Sequence, residues 1–245
     1  MTARRAIRRS LMWVWVLSLV LLCGCGARDL SDSMSSSKGS KAIPNLSRAS
    51  DKTALNMFLS NFSESNLCGS TGSRRFDVEL ASIPELADLA FTNYAQNGGK
   101  VEYVAFRDCN VRASVVSLNR TLKHLCGMEV DDWSCLGTDS NDWYVYHDGY
   151  VYTQITNGFL LCGPAVATSV SPGKDGTIRV RFDAYYQLAN ETGYTLGGKT
   201  QYSMSERQLN KLLGVGGPNR RGIAVLKAMG TQGGWEFTLV SWELD

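Results

Sequence analysis

Histidine and proline are scarce in this chain of 245 residues, with two of the first and five of the second. The two histidines, His124 and His147, form no H-x-x-x-H pair, and no C-x-x-C occurs, so no zinc-ligand spacing is present. No stretch carries a catalytic or cofactor motif, and no cofactor is expected. Long apolar runs are missing as well: Leu11–Leu22 falls short of the roughly 20 residues needed to span a bilayer, which argues against a permanent anchor helix there. An excess of positive charge is absent too. The formal net charge of +2 includes Arg4, Arg5, Arg8 and Arg9, so the chain beyond that first segment is near neutral or slightly acidic. A nucleic-acid partner would require a basic stripe, so none is expected. The apolar and charged fractions, 44% and 20%, are those of an ordinary folded domain and exclude a disordered chain.

What the N-terminus does contain is ordered by charge and size. Arg4, Arg5, Arg8 and Arg9 make a positive segment, Leu11–Leu22 an apolar one, and Leu22-Cys23-Gly24-Cys25 ends it in small residues and a cysteine. This resembles a bacterial lipobox. The resemblance implies lipidation of the Cys25 thiol, removal of residues 1–24 as a signal peptide, and a protein anchored on the outer face of the bacterial cytoplasmic membrane. Arg8-Arg9-Ser10-Leu11-Met12 also resembles a twin-arginine export signal, although Trp13–Leu22 is more apolar than such signals usually are. Residues 25–50 then carry many serines among glycine and charged residues and read as a lipidated, flexible tether that holds a domain off the membrane. Ile43-Pro44 is the stretch through which it would pack if it does. The remainder, 51–245, suits a single extracytoplasmic domain.

Cysteine usage fits an oxidising compartment. Of seven cysteines, Cys23 would leave with the signal and Cys25 would be lipidated. Cys68, Cys109, Cys126, Cys135 and Cys162 remain, an odd number, and their connectivity is not readable from sequence. Cys126 and Cys135, which flank Gly127 and would close a short loop, are the favoured disulfide pair.

The spacing predicts helices first and strands after. Asp51 is placed to cap a helix with Leu55, Phe58, Leu59 and Phe62 on one face. Ser82-Ile83-Pro84-Glu85 is a capping box for a second helix ending at Gly98, with Leu86, Leu89, Ala90 and Tyr94 inward. A third is expected from Val111 to Cys126, with Val111, Val115, Leu118, Leu122 and Leu125 inward and Gly127 as stop. Asp148-Gly149 is a type I′ turn signal joining Trp143–His147 to Tyr150–Thr153. The register of that turn puts Trp143, Val145, His147, Tyr150 and Tyr152 on one face and Tyr144, Tyr146, Val151 and Thr153 on the other. The larger, Trp143-bearing face is expected to be the buried one. Ala165–Ser171 and Thr177–Leu188 make a second hairpin, with Ile178, Val180, Phe182 and Ala184 inward and Arg179, Arg181 and Asp183 outward. Ser203 or Ser205 caps a short helix to Leu213, and Ile223–Met229 with Trp235–Leu244 closes the chain as a third hairpin.

The fold class is therefore α+β, with N-terminal helices packed on a curved antiparallel sheet. The order is similar to the cone-shaped nuclear-transport-factor-2-like fold, whose sheet encloses a pocket. The first helix, Met57-Phe58-Leu59-Ser60-Asn61-Phe62-Ser63-Glu64, behind a lipobox and a serine-rich tether, resembles a group of uncharacterised Gram-positive lipoproteins. That resemblance brings no catalytic residues.

Three sets of residues are candidates for chemistry. Cys109 or Cys162 with His124 or His147 is a conceivable nucleophile pair, lacking any surrounding signature. Asp131, Asp132, Asp139, Asn141 and Asp142 form an acidic run without the spacing of a calcium loop. The aromatic residues Trp133, Trp143, Tyr144, Tyr146, Tyr150, Tyr152 and Phe159 would stack a sugar or a peptide; Trp143, Tyr144, Tyr146, Tyr150 and Tyr152 on the hairpin are the candidate binding residues. The expected function is non-catalytic binding of a cell-wall glycan, a peptide or an envelope protein by a membrane-tethered lipoprotein. A cell-envelope hydrolase using paired carboxylates or Cys-His, and a solute-binding lipoprotein of a transporter, are the alternatives.

Overall fold

The structure is a computed structural model that describes residues 43–65, 67, 74–137, 143–154, 161–187 and 198–245. The expected signal segment with Cys25, the expected tether as far as residue 42, Cys68, Asp139, Asn141, Asp142 and Phe159 lie outside these residues, as does the side chain of Cys162.

Helix α1, Ala49–Glu64, forms where the apolar stripe was expected: Leu55, Leu59 and Phe62 are fully buried and Phe58 nearly so. It begins earlier than Asp51, which sits inside the first turn. There the Asp51 carboxylate accepts the Asn45 amide at 2.9 Å, which lowers its pKa and places negative charge at the helix's positive end. Pro44 is buried, so the chain packs from there on, ahead of the expected end of the tether.

The second face of α1 is polar and equally buried. Asn56, Ser60 and Ser63, one helical turn apart, are each 0% exposed. They line the free edge of strand β6, Leu161–Pro172. Asn56 Oδ1 accepts the Ala167 amide at 2.8 Å, Ser60 Oγ accepts the Ala165 amide at 3.0 Å, and Ser63 Oγ donates to the Gly163 carbonyl at 2.8 Å. A helix thus satisfies the backbone groups a neighbouring strand would otherwise take. Asn56 Nδ2 also donates to the Tyr202 carbonyl at 2.9 Å, drawing in the 3-10 segment Gly198–Ser203.

Helix α2, Ile83–Gln96, opens on the expected capping box, with Ser82 Oγ accepting the Glu85 amide and Glu85 Oε2 accepting the Ser82 amide at 2.9 Å. Helix α3 is shorter than predicted, Val115–Cys126. Residues 111–114 belong to strand β3, Cys109–Ser114, where Val111 and Ala113 point inward two residues apart. Val111 and Val115 share a helical spacing by coincidence, and both are β-branched residues suited to strands. Ser114 ends the strand and caps α3 by accepting the Ser117 amide at 3.3 Å, while Leu118, Leu122 and Leu125 are fully buried and Gly127 closes the helix in the left-handed region at φ 69°.

Strands β1 (Arg75–Asp77), β2 (Glu102–Phe106) and β3 had no expectation from sequence. The remaining strands are β4 (Tyr144–His147), β5 (Tyr150–Thr153), β6, β7 (Thr177–Gln187), β8 (Arg220–Thr231) and β9 (Gly234–Leu244). Helix α4, Glu206–Leu213, is capped by Ser205 in a capping box with Gln208.

The strands form two antiparallel sheets instead of one meander, ordered β1-β9-β8-β7-β6 and β2-β3-β5-β4. The larger sheet is curved by register shifts between Cys162 and Ala165, Ala167 and Ser169, and Val225 and Leu226. Its β7 alternates as read, with Ile178, Val180, Phe182 and Ala184 buried and Arg179 and Arg181 exposed. Side chains fill its concave face: Phe182 stacks on Trp242 at 4.0 Å, Phe62 packs on Trp242 and Phe58 on Phe237. Val166 and Tyr185, on the other face, pack with Leu209 and Leu213 of α4.

The polar stripe of α1 sets an expected outcome. Asn56→Leu strands the Ala167 amide and the Tyr202 carbonyl, each at about 1–3 kcal/mol for a buried group left unpaired. Chemical denaturation should show a loss of about 2–5 kcal/mol, against about 1–3 kcal/mol for Ser60→Ala. A loss under about 0.5 kcal/mol for both variants would contradict the edge-capping role.

Candidate functional site

The smaller sheet has two unlike faces. Pairings Arg112↔Tyr152, Ser114↔Tyr150, Val145↔Tyr152 and His147↔Tyr150 put these side chains on the outer face, and Val111, Ala113, Tyr144, Tyr146, Val151 and Thr153 on the inner one. The Asp148-Gly149 turn has the expected positive φ angles, 47° and 77°, and the hairpin register is the one read from sequence.

The assignment of faces is the reverse of the expectation. Trp143 is 74% exposed, whereas the inner face packs toward α2: Tyr144 Oη donates to Asp88 Oδ1 at 2.6 Å and its ring lies 6.1 Å from Phe91. Burial, and then the Asp88 charge, hold the Tyr144 phenol protonated, well above its ordinary range. Asp88 decides the matter, because it satisfies the Tyr144 hydroxyl on the inner side, while Trp143 stands one residue ahead of β4. Val145, at 8%, is nonetheless buried on the outer face beside Gly137, and Tyr152, at 4%, lies beneath other side chains.

Those side chains form a layer centred on Arg112. Its guanidinium lies 4.1 Å from the Tyr150 ring centroid, donates through Nε to Glu102 at 2.7 Å, and donates to Tyr152 Oη at 3.1 Å. Phe106 packs on Tyr152 at 4.3 Å and stacks on His147 at 5.1 Å and 15°. Arg107 lies 5.6 Å from the Phe106 ring. The His147 side chain keeps 52% of its exposure and pairs with Asp148. Of the five candidate binding residues, this face therefore holds Tyr150 and Tyr152, Trp143 lies exposed beside it, and Tyr144 and Tyr146 belong to the other side. Sequence reasoning missed Arg112 and Phe106. Their signal was present in Glu102–Ser114, a hairpin with alternating residues read instead as loop and helix.

The other candidates separate. Cys126 is a buried free thiol, pushed up to about 12 by burial, so the expected bridge to the exposed Cys135 is not formed. Cys126 points into the core from the last turn of α3, and Gly127 directs the chain away toward an exposed turn. The Cys109 thiol is also raised, by burial and Asp108, which opposes nucleophile formation. Asp132 accepts the Ser134 amide at 2.8 Å in a turn, and Trp133 is core. His124 lines a cleft between helices.

A titratable group absent from the sequence reading is Glu64, at the C-terminal end of α1. Its Oε1 accepts from Tyr202 Oη at 3.1 Å and Gln201 Nε2 at 3.2 Å, yet burial pushes its pKa up to about 7. A carboxylate at a helix C-terminus also faces the negative end of the dipole, a signal available from sequence.

The chain matches no protein-family model, no curated protein and no solved structure. The likeness to the nuclear-transport-factor-2-like cone thus has no neighbour to support it.

Two measurements check this geometry. In thermal melts Trp143→Ala should change stability by less than about 0.5 kcal/mol, while Tyr144→Ala should cost about 3–5 kcal/mol; equal losses would contradict the face assignment. For Glu64 the folded chain holds its proton more tightly than the unfolded chain, whose value is near 4.5. The stability it contributes is therefore full below that pH and is lost as pH rises through about 7. The loss is on the order of 3 kcal/mol, and Glu64→Gln should flatten it. An unchanged slope between pH 4.5 and 7 in the variant would assign the dependence to other groups.

Proposed function

We propose that this chain is a lipid-anchored, extracytoplasmic, non-catalytic binding domain that meets its partner through the outer face of β2-β3-β5-β4. The compartment rests on Leu22-Cys23-Gly24-Cys25 and the arginines ahead of it. Binding rests on one observation, the aromatic and guanidinium layer of Phe106, Arg112, Tyr150 and Tyr152 with the exposed Trp143 beside it. Rings already stacked on a rigid sheet lose little freedom when a planar or apolar ligand face meets them. Trp, Tyr and Arg are the residues that most often carry contact energy at protein surfaces. Cell-wall glycans, peptides and envelope proteins all present such faces. The upward-shifted thiols of Cys109 and Cys126 favour binding over cysteine hydrolysis.

Fractionation tests the anchor: Cys25→Ala should move the protein from the membrane pellet to the soluble fraction, since a diacylglycerol thioether needs that thiol. Retention of the variant after a salt wash would refute it. Titration of glycan fragments and peptides against Trp143→Ala and wild type, followed by tryptophan fluorescence, tests the face. A stacked ring lost from such a surface should weaken binding by about 1–3 kcal/mol.

A further inference from the structure

A second site lies apart from that sheet, where α1, α2 and α3 converge. The cleft has a volume of about 450 Å³, within the roughly 300–1,000 Å³ of small-molecule sites. Two polar pairs at i, i+4 line it: Asn93 of α2 with Asn97 at that helix's C-cap, and Arg120 with His124 of α3. Asn61 of α1, Tyr94 and Thr121 also line it, and the α2 stop at Gly98 and Gly99 closes one end.

The amide nitrogens there are held within the fold, Asn61 Nδ2 on the Met57 and Phe58 carbonyls at 3.4 and 3.2 Å and Asn97 Nδ2 on the Asn93 carbonyl at 3.0 Å, so what the asparagines offer the cleft is amide oxygen. Asn93 is 5% exposed, and its Nδ2 donates to the Asn61 carbonyl and Oδ1, both at 3.3 Å. Its Oδ1 has no hydrogen-bond partner among the described residues, although the residue lines the cleft. That oxygen is not sealed from solvent, so at the cleft wall it is open to a ligand donor that takes the place of water. Arg120 has no carboxylate partner among the described residues, and no acidic side chain lines the cleft. The guanidinium is always charged and offers a planar fork that fits a carboxylate. Tyr94 is held by its hydroxyl, which donates to the Lys100 carbonyl at 3.3 Å, and by the Gly99 amide on the Tyr94 carbonyl at 2.8 Å. A Cβ at Gly99 would come within 2.5 Å of the Tyr94 ring, so only glycine allows this wall.

We infer that this cleft binds a hydroxylated ring bearing a carboxylate, the chemistry of an acidic sugar. The Asn93 and Asn97 amide oxygens, which accept no hydrogen bond among the described residues, take the protons of ring hydroxyls. Arg120 takes the carboxylate, with His124 one turn away, and the absence of acidic lining removes repulsion. The ring comes either as a free acidic sugar or as a residue of an acidic polymer.

The test uses the detergent-solubilised full chain, titrated calorimetrically with D-glucuronate, with D-glucose and with a glucuronate oligomer. Glucuronate or its oligomer should bind at least 10-fold more tightly than glucose, and Arg120→Gln should abolish that ratio while the thermal melt is unchanged. Asn97→Ala, at an exposed position, should weaken all sugars; Asn93→Ala should do so more strongly if it folds. Oligomer binding without monomer binding identifies the polymer as source, and equal binding identifies the free sugar. No preference for glucuronate, or a preference that survives Arg120→Gln, overturns the inference. Trp143→Ala should leave glucuronate affinity unchanged, which separates this site from the aromatic face.

Discussion

The structure depends on three side chains of one helix standing in for a strand. Without Asn56, Ser60 and Ser63, strand β6 would be an open edge with unpaired amides and carbonyls facing the interior. With them, α1 is fixed in rotation: its polar row must face β6, so its apolar row faces Phe237 and Trp242 across the curved sheet. Two neighbouring rows on one helix therefore fix both the helix's orientation and the limit of the sheet. The same helix reaches the 3-10 segment through Asn56 and Glu64, so one element coordinates the sheet edge, the core and a titratable contact.

Local signals in the sequence carried well. The Ser82 box, the Asp148-Gly149 turn, the β7 alternation and the Gly127 stop each depend on residues within a few positions of one another, and each is found as read. What did not carry depends on partners far away in the chain. Asn56, Ser60 and Ser63 look like ordinary polar helix positions until β6, a hundred residues on, supplies the backbone groups they need. The second sheet was missed because Val111 and Val115 match a helical period, and only pairing of Val111 with Thr153 shows the strand.

The two faces of the aromatic hairpin illustrate why area alone does not decide burial. The outer face has the larger rings, and they are in part buried, but by one another and by Arg112. The inner face won α2 because Asp88 satisfies the Tyr144 hydroxyl there, and a buried hydroxyl needs a partner more than a ring needs cover. The site residues were accordingly half legible: ring positions were visible in the alternation, whereas Arg112 and Phe106 required knowing that β2 and β3 complete the sheet.

The aromatic face and the helical cleft represent opposite ways of preparing a surface. On the sheet, Arg112 is already engaged by Glu102, Tyr150 and Tyr152, so a partner meets rings and hydrocarbon, and charge takes little further part. In the cleft, among the described residues, Arg120 has no such engagement and the Asn93 amide oxygen accepts no hydrogen bond. A ligand there gains by completing hydrogen bonds that the folded chain leaves open, which rewards the right arrangement of polar atoms and penalises its absence. Broad tolerance is therefore expected of the first surface and chemical selectivity of the second. One surface of the domain is thus suited to a partner's shape and the other to a single charged group.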